Sequence, residues 1–154
     1  ALRLITTPTL PLEFAVSLVA LGASVIDVPV TCLHVPADLG LDQVQQLIRL
    51  LCESFSEFRE RIGLIAVGTL GQYASANENI AHVYDQAYVS AVTSGIPERV
   101  FNLARNLATS ARDALWTPTA LLWGCIGDRI KHVAPAVYEA PVGVGLFTAG
   151  LELT

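Results

Sequence analysis

The stretch 2–33, LRLITTPTLPLEFAVSLVALGASVIDVPVTCL, decides the fold class. Residues 2–6 read as a short buried strand. Pro11 suits the first turn of a helix. Residues 11–21 are apolar nearly all round, which fits a helix buried on several sides, and Gly22 fits the C′ position that ends it. Residues 24–33 are β-branched and apolar, a second strand. Strand, helix and strand in about thirty residues form a βαβ unit with parallel strands.

Outward from that unit, Asp38 or Asp42 can cap a helix over 42–61. Val44, Leu47, Ile48, Leu51, Phe55, Phe58 and Ile62 recur along it at spacings of three and four. Gly63 ends this helix, and 64–67 is a third strand. Ser75 and Glu78 have the capping-box spacing for a helix over 76–93, with Ile80, Val83, Tyr84, Ala87, Ala91 and Val92 as its apolar stripe. Pro97 opens a further helix to about residue 115. Thr117-Pro118 breaks it, and 120–126 and 142–148 are two strands around an irregular segment with Pro135 and Pro141. The order is βαβαβααββ. This is a single layered α/β domain over 1–154, with a mostly parallel sheet and an antiparallel C-terminal strand pair.

Hydrophobic residues make up 53% of the 154 and charged residues 15%, against about 45–50% and about 25% in ordinary globular chains. The uncharged stretches 14–26 and 114–127 are too short to span about 30 Å of hydrocarbon. No basic region followed by an apolar one marks a signal peptide. The excess is therefore expected to be buried in a homo-oligomer or larger assembly. It concentrates in 11–21 and 114–151, which places the apolar C-terminal strands, with Trp123 and Phe147, in a subunit interface. The net charge is −5, Lys131 is the only lysine, and the arginines are scattered. No basic stripe offers phosphate neutralisation, which argues against nucleic acid as a partner. Cys32, Cys52 and Cys125 are odd in number and lack zinc or redox spacing, so reduced thiols in an intracellular, cytoplasmic protein are expected. The chain has no methionine, even at position 1, as a processed chain or a piece of a longer one would.

Ligands of open parallel sheets sit beyond the carboxyl ends of the strands. That rule selects Thr6 and Thr7, then His34, then Gly68, Thr69, Gly71 and Gln72 running into Ser75, Asn77 and Glu78. A helix start preceded by small residues favours anionic groups, so a small polar or anionic ligand is the natural occupant. His82 and Asp85, three apart on one helix with Glu78 a turn earlier, offer a carboxylate-oriented general base. His34, Glu78 and His82 are the catalytic candidates, and Cys32 with His34 is a second nucleophilic pairing. Asp128, Arg129, Lys131 and His132 form a local charged cluster for a partner carboxylate or phosphate. The loop at 68–72 lacks both the P-loop ending and a G-x-G-x-x-G pattern, so no cofactor and no metal is assigned.

Two stretches resemble known families. Thr6-Thr7-Pro8-Thr9-Leu10 and Val28-Pro29-Val30-Thr31-Cys32 resemble part of the bacterial trimeric chorismate mutases, without that family's arginine-bearing opening strand. Trp123-Gly124, Ile126-Gly127, Ile130-Lys131 and Gly143-Val144-Gly145 resemble the end of the hexameric histidine-utilisation antiterminators, without that family's metal-binding histidine pair. No functional residue carries over from either. Both imply small α/β units that work as oligomers. The expected functions are therefore an oligomeric binding or assembly subunit, an enzyme on a small polar or anionic substrate, or a ligand-responsive RNA-binding regulator.

Overall fold

The computed structural model describes residues 31, 33–36, 38–73, 78–103, 105–134, 136–140 and 143–154. The chain divides into two units, Ala1–His34 and Val35–Thr154, and every described element lies in the second. These are α1 (Leu41–Ser56), α2 (Glu78–Thr93), α3 (Pro97–Phe101), α4 (Arg105–Ala111) and α5 (Trp116–Ile126). A 3-10 turn (Gly127–Arg129) and strands β1 (Ile130–Val133), β2 (Val137–Glu139), β3 (Leu146–Thr148) and β4 (Leu151–Leu153) follow. Five helices and two small antiparallel two-stranded sheets make up the described residues, and no parallel sheet is among them. The expected βαβαβααββ order and mostly parallel α/β sheet are overturned. The strand at 2–6 and the helix at 11–21 lie outside the described residues, as does most of the strand at 24–33. Residues 64–67 form no strand. No helix among the described residues is long and apolar enough to cross a membrane.

The largest correction concerns 116–126. The expected strand at 120–126 is most of a buried helix, with Trp116, Ala120, Leu121, Trp123 and Ile126 inside. An apolar run buried on all sides has no period, so hydropathy alone cannot separate helix from strand. Pro118 does not break the helix. It sits in the first turn, where its missing N–H has no intrahelical role. The end is capped from outside. The Asp113 carboxylate accepts the N–H groups of Leu115 (3.0 Å) and Trp116 (2.9 Å).

The other helices follow their patterns less far than expected. α1 is capped by Gly40 rather than Asp38 or Asp42, and Gln43 Oε1 accepts the Gly40 N–H at 2.9 Å. It ends at Ser56, not near 61. Glu57 and Phe58 bond back three residues to Ser54 and Phe55, tightening the last turn. Ser54 and Ser56 hydroxyls bond to Leu50 and Glu53 carbonyls, which competes with further helix. Phe58 and Ile62 are left exposed. The single helix expected over 97–115 is two short ones, α3 and α4.

On α2 the buried face is Ala81, Tyr84, Asp85, Tyr88, Ala91 and Val92. It is rotated from the expected stripe, because a buried aspartate belongs to it and Val83 and Ala87 face out. Tyr88 and Thr119 hydroxyls join α2 to α5, and the Trp116 indole N–H donates to the Val100 carbonyl at 3.0 Å. Strand β2 pairs with β3 (Tyr138 opposite Phe147), and β1 pairs with β4 around an irregularity between Ile130 and His132. Phe147 meets Tyr88 edge-on at 5.8 Å. Trp123 is 1% exposed. Both aromatic side chains expected at a partner surface thus pack within this unit.

Helix α5 packs tightly against Ile48 of α1 at Gly124. A Cβ there would lie 2.2 Å from Ile48 Cδ1. One turn beyond Ile48, Cys52 contacts Cys125. Both are free thiols, and burial, with Cys52 beside it, pushes Cys125 up to about 12. Gly124→Ala should overpack this crossing and destabilise by about 1–3 kcal/mol in urea denaturation. In the double variant with Ile48→Ala, the two effects should be strongly non-additive, much of the Gly124→Ala loss disappearing.

Candidate functional site

Two buried carboxylates flank the glycine loop at 68–73. Asp85 is fully buried on α2. Its Oδ1 accepts the Gly71 N–H at 2.8 Å, and its Oδ2 accepts the Tyr73 and Tyr138 hydroxyls, each at 2.8 Å. The two phenols also touch each other, so two phenolic protons serve three close contacts. Burial chiefly, with the neighbouring Asp85 carboxylate, holds both phenols above their ordinary range. Backbone bonds fix the loop on another side, with Tyr73 N–H on Gly143 O (2.6 Å), Leu70 N–H on Gly145 O (3.2 Å) and Gly145 N–H on Gly71 O (3.0 Å). Gly145 lies so close that a Cβ would sit 2.1 Å from Asp85 Oδ2.

Asp113 holds the loop's other side. It accepts the Tyr84 hydroxyl at 2.9 Å besides its two backbone donors. Burial pushes its carboxyl up to about 6, against the opposing effect of those donors. Close by, Gln72 N–H donates to Ala111 O at 2.8 Å and Ala114 N–H to Thr69 O at 2.8 Å. The Arg105 guanidinium lies 3.7 Å over the Trp116 ring, and its Nη2 donates to Leu39 O at 2.8 Å. An open pocket of about 320 Å³ is lined here by Asp38, Gln72, Arg105, Thr109, Arg112 and Asp113 among others.

The ligand candidates distribute as follows. Thr6, Thr7, Ser75 and Asn77 lie outside the described residues, as does Cys32. Gly68 packs against the Ala114 carbonyl, Thr69 accepts a backbone bond, and Gly71 is buried on Asp85. These loop residues act as a clamp rather than an open cradle, and only Gln72 reaches the pocket. His34 is exposed. Glu78 and His82 are exposed on α2, and His82 Nε2 lies 2.9 Å from Gln86 Nε2. Asp85 turns inward to Gly71 and the tyrosines, so the expected His82–Asp85 pairing does not form. Lys131 meets Glu152 at 2.9 Å, both exposed. No group of three or more His, Cys, Asp or Glu gathers for a metal among the described residues. Sequence reasoning passed over Arg105 and Arg112. Arg105 and Thr109 share one face of α4, and Arg112 follows its end.

Tyr138→Phe should leave one Asp85 contact unmade and lower stability by about 1 kcal/mol in urea, with Tyr73→Phe similar. The folded pKa of Asp113 lies above its ordinary 3.8. Its contribution is therefore fully present below about pH 4 and lost as the pH rises through about 6, on the order of 3 kcal/mol in all. In urea titrations, wild type should lose stability relative to Asp113→Asn across that window; parallel pH profiles would refute the assignment.

No family model, curated protein or solved structure matches this chain, and neither resemblance noted from the sequence is carried further.

Proposed function

We propose that this protein is an assembly subunit that associates with further copies of itself. The observation that carries this reading is the segment 58–65. Phe58, Ile62, Leu64 and Ile65 are 59%, 43%, 36% and 66% exposed. Fully burying such a side chain contributes about 1.5–3 kcal/mol, so a run of four favours a partner. The strands support the same reading through different residues than Trp123 and Phe147. Val137, Leu146 and Leu153 are exposed. Among the described residues each sheet has only two strands, and short two-stranded sheets offer edges to which a further strand can add. An edge of this kind can pair with its copy across a two-fold axis. The free thiols Cys52 and Cys125 support a reducing, cytoplasmic setting.

Light scattering over a concentration series tests the proposal. Wild type should show a mass above one chain. Phe58→Glu with Ile65→Glu should shift it to one chain with an unchanged circular dichroism spectrum. A wild-type monomer at every concentration would overturn the reading, and so would an oligomer indifferent to these substitutions.

A further inference from the structure

We propose that Cys52 and Cys125 form a reversible dithiol–disulfide site, oxidised by a hydroperoxide to a bond that joins α1 to α5. The two residues stand in the last turns of helices that pack against each other. Their thiols hydrogen-bond across the crossing.

The neighbours of each cysteine bring the pair together. Ile48, one turn before Cys52, occupies the space that a side chain at position 124 would need, and Gly124 is the residue before Cys125. The two helices therefore approach closely at this level. A disulfide requires such an approach, since its Cα atoms stand about 4.4–6.8 Å apart and its sulfurs about 2 Å. Two thiols already in contact have only the difference between a contact and a bond to close. Both are free and half-buried, so a molecule as small as a peroxide can reach them. One thiol in such a place would be an ordinary small core side chain. Two that face each other from separate helices make a redox couple.

One sulfur attacks the O–O bond of the peroxide as thiolate and becomes a sulfenic acid. One oxygen leaves as hydroxide, which takes up that thiol's proton as water. The second sulfur then displaces the sulfenic hydroxyl, which leaves with the second thiol's proton as another water, and the S–S bond forms. The two sulfurs together give up two electrons, and the peroxide takes both. A small thiol reverses the reaction by exchange. Burial, with Cys52 beside it, pushes Cys125 up to about 12. The thiolate is the reacting form, so the pair oxidises slowly at neutral pH and records sustained rather than brief exposure. A disulfide that comes and goes in this way suits a chain whose thiols are otherwise kept reduced.

The bond closes the long loop 53–124, which restrains the unfolded chain more than a short loop does. The test exposes the full wild-type chain to hydrogen peroxide, caps the remaining thiols and maps the cysteine peptides by mass spectrometry. The folded chain should yield one linkage, Cys52 to Cys125 within a single chain, with the loss of two hydrogens, and dithiothreitol should undo it. In urea the preference should vanish and linkages through Cys32 should appear. Oxidation should raise the urea midpoint by about 1 M or more. Cys52→Ser should lose both the linkage and the shift. A linkage through Cys32 in the folded chain, a bond between chains, sulfinic acids in place of a linkage, or a urea midpoint that does not rise would overturn the proposal.

Discussion

A carboxylate taken wholly out of water must find donors, and Asp85 finds three of them in two separate parts of the chain. Gly71 and Tyr73 come from the loop before α2, and Tyr138 comes from β2, 53 residues further on. An unpaired charge at this depth would be strongly destabilising. The positions of the loop, of α2 and of the β2–β3 pair are therefore mutually conditional. Gly145 completes the arrangement by leaving the space its missing side chain would have filled. Among the described residues, every buried side-chain nitrogen or oxygen has a partner.

Asp113 repeats the principle with a different result. Its donors include the first N–H groups of α5, so one buried acid caps the helix at the centre of the core. Asp113 also lines the open pocket, together with Arg105 and Arg112. The core and the pocket thus share a wall. The guanidinium of Arg105 stays in place because the indole beneath it is fixed by the core.

The amphipathic period of Val44, Leu47, Ile48 and Leu51 was legible, and so was a helix through Glu78–Thr93. What misled was local. The run around Trp123 has no period to read, and a proline in a helix's first turn looks the same as one that ends a helix. The α2 stripe was rotated because hydropathy does not place an aspartate inside. The glycines at 68 and 71 were read as room for a ligand, and they are room for Ala114, Ala81 and Asp85 instead. Arg105 was visible on the face it shares with Thr109, but the positive φ of Arg112, at 55°, follows from hydrogen bonds that no composition reveals.

The loop at 70–73 leans on Gly143 and Gly145, near the end of the chain, for three of its backbone hydrogen bonds. Contacts so remote in sequence form late, after the entropy of a long closure has been spent. During synthesis, α2 therefore emerges with its inward acid lacking the Tyr138 hydroxyl. The loop at 70–73 and the Asp85 carboxylate are therefore completed only by residues 138–145.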